Sequence, residues 1–170
     1  MSRLDRFIAR VAAQKFHLEH ACAEVKARWR PTDGIIVELG LGNGRTYHHL
    51  CEHLPGYRIV VFDRGGDTHP ENVPPAADLV IGEIQQTAAR FARDFGAQAL
   101  MLHTDILTPD TAFNRTIEAW LPDAVVPLMR PGAIVVTSLR LAHAGLVPEH
   151  PPGTPPKYEY FLYRRRGIPS

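Results

Sequence analysis

Apolar residues in this 170-residue chain recur with two alternating periods, and the alternation lays out the elements. Leu4, Ile8, Val11, Leu18, Cys22, Val25 and Trp29 fall three, four or seven positions apart, the spacing of one helix face. Ser2 and Asp5 are placed as a capping box and Pro31 as a stop, which predicts one long N-terminal helix or two joined. Unbroken, about 28 residues would run ~42 Å, longer than the width of a small domain, so part of the helix should project or cross a subunit interface. Five short runs then read as strands: residues 35–39, 58–62, 78–83, 99–103 and 133–137. Between them, residues 45–54 form a helical stretch stopped by Pro55-Gly56. Ile84, Thr87, Ala88, Phe91 and Phe95 share a helix face that ends at Gly96. A region from about 110 to 129 is helical but interrupted by Pro122 and Pro127, and a Gly- and Pro-rich loop fills 65–75. Strand and helix alternate, and right-handed crossovers then favour a parallel sheet covered on both faces.

Chemistry concentrates where the first strand ends. Glu38 is followed by Gly40, Leu41, Gly42, Asn43 and Gly44, an acid and then glycines at every second position. A strand running directly into a helix must turn sharply, and glycine allows both positive φ and a ligand lying against bare backbone. Dinucleotide folds space these glycines G-x-G-x-x-G around a pyrophosphate. Here the rhythm is G-x-G-x-G, and a carboxylate just before it suits a cationic ligand. The second strand also ends in an acid, Asp63, followed by Arg64; that carboxylate can accept from both hydroxyls of a ribose or simply cap its loop. Glu83 and Asp105 end the third and fourth strands, so four acids meet at one rim, where a ligand rich in amine and hydroxyl groups would satisfy them.

In these residues the chain resembles the class I S-adenosylmethionine-dependent methyltransferases, whose first motif is an acid followed by G-x-G-x-G. The turn Pro131-Gly132 before the fifth strand is similar as well, and the likeness covers residues 35–138. It implies an α/β, Rossmann-like, doubly wound and mostly parallel sheet with an antiparallel C-terminal edge strand, preceded here by the long N-terminal helix. It implies S-adenosyl-L-methionine as cofactor: Glu38 toward the methionine amino group, Asp63 on the ribose, Gly82, Glu83 and Ile84 at the adenine, and His103, Thr104 and Asp105 facing the methyl and the acceptor. Such sheets usually end with two further strands. Only residues 158–163 read clearly as one, so the other is expected to be missing or shortened, leaving an edge that a partner subunit could cover.

Methyl transfer needs a base only when the acceptor arrives protonated. His103 is the first candidate, with Tyr47 and Asp105 behind it; His103 could equally be a strand-end histidine satisfied by backbone, and Tyr47 a lid. No metal is expected: His49 and His53 stand i, i+4 on a helix, but two histidines without a third placed ligand make a poor zinc site. Arg164, Arg165 and Arg166 read as a solvated tail or a grip on an acidic substrate. The resembled family's signature for methylating amide or base nitrogens, Asn-Pro-Pro-Tyr or Asp-Pro-Pro-Tyr after the fourth strand, is absent, which weighs against DNA adenine and protein glutamine as acceptors.

Composition narrows the rest. With 45% hydrophobic and 22% charged residues and a net charge of +1, the chain reads as one domain, residues 1–170: a helical extension at 1–30, a cofactor-binding core at 35–138 and a C-terminal segment at 139–170. Mixed charges give no basic stripe for nucleic acid. Two cysteines, Cys22 and Cys51, no signal peptide and no membrane-spanning run point to the cytoplasm. Expected partners are a small-molecule acceptor and a second copy of the chain, through the N-terminal helix or the sheet edge. A cofactor-binding protein without catalysis and, lower, an NAD(P)-dependent oxidoreductase are the alternatives.

Overall fold

The computed structural model describes residues 2–65 and 68–167, so part of the 65–75 loop and the last three residues lie outside the described residues. The N-terminal stripe forms a single helix, α1 (Arg3–Arg28), whose 26 residues span ~39 Å. The Ser2–Asp5 capping box is closed at its start. Burial divides α1 in two. Leu4 is 65% and Ile8 56% exposed, whereas Ala13, Leu18, Ala21, Cys22 and Val25 are buried on the sheet. Leu4 and Ile8 of its first turns are thus left uncovered by the described residues.

The chain continues through β1 (Ile35–Leu39), α2 (Arg45–His53), β2 (Ile59–Asp63), β3 (Leu79–Ile81), α3 (Ile84–Phe95), β4 (Ala99–Thr104), α4 (Thr111–Val125), β5 (Met129–Thr137), β6 (Leu146–Glu149) and β7 (Phe161–Arg165). Pro122 sits inside α4 without ending it, at the cost of one intrahelical hydrogen bond, and Pro127 falls in the single tight turn that follows. All seven strands form one sheet, ordered β3-β2-β1-β4-β5-β7-β6. The first five are parallel, and β7 runs antiparallel to both neighbours at the C-terminal edge. The strand expected to be missing is present as β6. It escaped a pattern reading because it is only four residues long and contains Pro148, which is tolerated on an outermost strand. Short, proline-bearing edges discourage further pairing.

Alternation along the strands builds two cores. Val37, Phe62, Leu102 and Val135 face α3 and α4, while Ile36, Val61, Met101 and Val136 face α1 and α2. Glu38 lies opposite His103 in the parallel register of β1 and β4, and by the same alternation both point toward the α1–α2 side. From β1 the chain crosses to β2 on one side, and from β3 it returns to β4 on the other. Order reverses between β1 and β4, which opens a crevice beyond their carboxyl ends.

Candidate active site

The glycine loop is shaped by its backbone. Gly40, Gly42 and Gly44 have φ of 85, 50 and 80°, conformations that side-chain-bearing residues avoid. A Cβ on Gly40 would stand 2.5 Å from the Ile106 methyl, and one on Gly44 2.4 Å from Asn72. Gly42 differs: among the described residues nothing lies within 4 Å of its would-be Cβ, while its carbonyl accepts from the Thr68 hydroxyl at 3.0 Å. Asp63 locks the loop from β2, one oxygen accepting from the Leu41 N–H at 2.6 Å and the other from the Gly65 N–H at 2.7 Å. Each oxygen keeps a lone pair for a further donor.

Above this loop lies a cavity of about 1010 Å³. Its walls fall into three groups. One comes from the loops after the parallel strands: Leu41, Gly42 and Asn43, then Asp63 and Arg64, then Glu83 and Ile84, then Asp105 and Ile106. A second comes from α1 and α2, through Phe7, Arg10, Val11, Gln14, Lys15, Leu18, Arg45, Thr46 and His49, and a third from α4, through Phe113, Ile117 and Trp120. Phe7 sits between two guanidinium groups, Arg10 at 5.9 Å and Arg45 at 5.8 Å from its ring centre, which holds the first turns of α1 against the mouth. The region thus pairs an acceptor-rich rim with apolar side chains of α1 and α4, among which Arg10, Gln14, Lys15 and Arg45 also reach the cavity. Nothing in the sequence pattern assigned Phe7, Arg10 and Gln14 to the site; the only signal was a stripe continuing beyond the length a core needs.

The four strand-end acids have different surroundings. Glu83 is exposed at the start of α3, where Gly82 donates its N–H to the Asp63 carbonyl at 2.9 Å. Glu38 is completely buried and does not line the cavity. It accepts from the Thr46 hydroxyl and binds His103 Nδ1 at 2.7 Å. His103 is equally buried, and its Nε2 lies 2.7 Å from the Tyr160 hydroxyl. Burial alone would lower the His103 pKa. The Glu38 carboxylate, with a smaller contribution from Asp105, more than offsets this and raises it above the ordinary histidine value. With both ring nitrogens engaged inside the protein, His103 stands behind the cavity wall rather than in it. Side chains satisfy it, where backbone was the expected alternative. Thr104, also buried, is likewise outside the lining.

Asp105 does reach the cavity. Its Oδ2 accepts from Arg10 Nη1 at 2.6 Å and from Gln14 Nε2 at 2.9 Å, while its Oδ1 is buried without a partner among the described residues. Gln14 also donates to Tyr160 at 3.3 Å, so a continuous polar chain runs from Thr46 through Glu38, His103, Tyr160 and Gln14 to Asp105 and Arg10. It stitches both terminal segments to the strand ends. Tyr160 is held far from ionisation by burial, and the Asp105 charge adds to that.

Tyr47 is placed elsewhere. It lines a separate recess with Cys51, Tyr57 and Asp78, and burial pushes its pKa up to about 12. Arg164 is neither a substrate grip nor a solvated tail: it binds Glu149 at 2.5 Å, Glu24 at 3.1 Å and the Gly132 carbonyl at 3.0 Å, clamping β6, β7 and α1 together.

A doubly wound sheet of this order, with a carboxylate, a glycine turn and a deep cavity at its switch point, defines an α/β nucleotide-cofactor protein. A family model described as S-adenosyl-L-methionine methyltransferase matches residues 1–165. The S-adenosyl-L-methionine methyl transferase from Silicibacter pomeroyi DSS-3 is 38% identical, with a TM-score of 0.88 over 97% of this chain and 99% of that one. Two other structures share the fold at lower identity. The antibiotic-resistance methyltransferase Kmr is 15% identical with a TM-score of 0.54, over 86% of this chain and 93% of that one. The W203A mutant of the 16S rRNA (adenine(1408)-N(1))-methyltransferase from Catenulisporales acidiphilia is 13% identical with a TM-score of 0.52, over 93% of this chain and 92% of that one. No curated protein matches the sequence significantly. The chain belongs to the S-adenosyl-L-methionine methyltransferase family. It is a methyltransferase that uses S-adenosyl-L-methionine, and the donor set fits that cofactor: a bare-backbone cradle at Gly42 and a carboxylate with free lone pairs at Asp63.

Proposed function

We propose that the chain methylates a small-molecule acceptor with an apolar body, held in the part of the cavity walled by α1. The observation that carries this reading is the cavity itself. Its volume, about 1010 Å³, is at the upper end of ligand-site sizes, and Phe7, Val11 and Leu18 of α1 with Phe113, Ile117 and Trp120 of α4 add apolar surface to the acceptor-rich strand ends. In this reading residues 40–44 and Arg64 receive the methionine end of the cofactor, Asp63 accepts from the ribose hydroxyls, and Glu83 and Ile84 border the adenine. The strand-end rim thus serves the cofactor and leaves the α1 side to the acceptor.

S-adenosyl-L-methionine supplies an activated methyl group, so the protein needs chiefly to align the nucleophile and exclude water from it. Phe7, Val11 and Leu18 exclude water. Asp105, oriented by Arg10 and Gln14, faces the acceptor and is the one of the three candidate proton acceptors that borders the cavity. Glu38 and His103 act as positioning residues, holding Thr46 and the first turn of α2 in place rather than touching a ligand. Residues 1–170 work as one unit, in which the core at 35–138 binds cofactor and the two ends shape the acceptor side.

A small acceptor is supported by the mixed charge of the chain, net +1, which offers no basic stripe to a phosphate backbone. No described helix is long and apolar enough to cross a membrane. Action in the cytoplasm and self-association through the exposed Leu4 and Ile8 of α1 complete the proposal. Release of S-adenosylhomocysteine, measured with small phenols, amines and carboxylic acids and with ribosomal RNA, tests it. Turnover with a small acceptor is expected; turnover with RNA alone would overturn it.

A further inference from the structure

Outside the cofactor rim, Glu19 of α1 meets His49 and His53 of α2, and one ligating atom from each lies within 4.8 Å of the others. We propose that these three side chains form a binding site for a divalent transition metal, Zn²⁺ first, at the edge of the methyltransferase cavity. The fold supplies from α1 the third ligand that the i, i+4 histidine pair lacked.

Three observations support the site. First, His53 Nδ1 lies 2.9 Å from the His49 carbonyl oxygen. A carbonyl only accepts, so Nδ1 carries the hydrogen and the Nε2 lone pair of the neutral ring is left pointing outward. That is the arrangement in which a backbone carbonyl orients a ligating histidine. Second, His53 Nε2 faces the Glu19 carboxylate at 3.7 Å, so two of the three ligating atoms already point into one space. Third, His49 Nε2 is buried with no hydrogen-bond partner among the described residues, although the two imidazole rings are only 3.9 Å apart. A buried ring nitrogen without a partner calls for an occupant.

The dimensions suit a metal. Bonds of about 2.0–2.2 Å to histidine nitrogen and carboxylate oxygen put tetrahedral ligand atoms roughly 3.3–3.5 Å apart, so a closure of at most about 1.5 Å by half-exposed side chains completes the set. Lys15 now pairs with Glu19, but its side chain is 60% exposed and free to swing away. Three protein ligands leave a coordination position open, as in catalytic rather than structural zinc sites. His49 belongs to both the cluster and the cavity wall, so a metal here would stand beside the acceptor side and could bind an oxygen or nitrogen of the acceptor.

Untagged protein, stripped with a chelator and titrated with Zn²⁺ by calorimetry, should bind one equivalent. Co²⁺ in its place should give the visible absorption of a four-coordinate site. Glu19→Gln and His53→Ala, at half-exposed positions outside the cavity lining, should each weaken Zn²⁺ binding by at least about 10–100-fold while S-adenosyl-L-methionine still stabilises both proteins. His48→Ala, on an exposed face of the same helix, should bind as the wild type does. Absence of micromolar Zn²⁺ binding by the wild type, an unaltered affinity in Glu19→Gln, or an equal loss in His48→Ala would each overturn the site. The titration contains neither cofactor nor acceptor, so its outcome is independent of the proposed acceptor chemistry.

Discussion

The two sides of the cavity are built differently. The rim proposed for the cofactor is made of short loops within residues 40–86, each fixed by backbone groups next to it in sequence or on the adjoining strand, such as Leu41 and Gly65 on Asp63. The side proposed for the acceptor is held by side chains that meet across 91, 95 and 146 positions of sequence, from Gln14 and Arg10 to Asp105 and from Gln14 to Tyr160. The first kind of construction tolerates no change in backbone conformation but is locally encoded. The second leaves the backbone free and depends on buried polar chemistry, which is costly to leave half made.

The sharpest way to break this comparison is at Glu38 and His103, which join the two sides. Replacing Glu38 by Ala leaves a buried imidazole without its counter-charge, and removing one partner of such a pair costs about 3–5 kcal/mol. Denaturant unfolding should show a loss of that order. His103→Gln sharpens the same point through pH. The His103 pKa is raised in the folded protein, so its stabilisation is fully present below the unfolded value near 6.5 and lost as pH rises through the folded value. His17 and His49 have lowered pKa values, chiefly from burial, and act with the opposite sign, destabilising the fold as pH falls below about 6.5. The difference in unfolding free energy between wild type and His103→Gln should therefore shrink from pH 6 to pH 9. A constant difference would mean that His103 carries no charge of consequence.

Next in size is Gly40→Val. Left-handed backbone costs a residue with a side chain roughly 1–2 kcal/mol, and the collision with Ile106 adds overpacking of about 1–3 kcal/mol. Thermal unfolding should register a loss of several degrees, with cofactor binding lost as well. Gln14→Leu should act on the other side. It removes one neutral donor from Asp105 and one from Tyr160, so acceptor KM should rise several-fold while cofactor affinity stays unchanged. Equal losses for both ligands would erase the distinction between the two sides. Smallest is Ile8→Asn on the first turns of α1, where stability should move by less than about 0.5 kcal/mol. If α1 mediates self-association, light scattering of this variant should show a smaller species.

The same contrast explains what could be read in the sequence. Five parallel strands, three crossover helices, the capped N-terminal helix and the glycine turn all follow local periodicity or turn chemistry and formed near their expected bounds, except that β5 begins at Met129 and takes in Pro131-Gly132, which was expected as a turn before it. β6 did not, because a proline within four residues masks alternation that matters little on an outer strand. His103 and Tyr47 illustrate the limit for side chains. Both stand near strand-end loops in sequence, yet the alternation of β4 turns His103 toward Tyr160, and the helical turn of α2 carries Tyr47 to another recess. Glu19 joining His49 and His53 depends on how α1 crosses α2, which no spacing within either helix expresses.

The cofactor rim is tested most directly by calorimetric titration of S-adenosyl-L-methionine into the wild type and a folded Asp63→Ala variant. Removing a charged acceptor from a ligand hydroxyl pair costs about 1.5–3 kcal/mol, so affinity should fall roughly 10–100-fold. Equal affinity in the two proteins would contradict the assignment of the β1 and β2 ends to the cofactor.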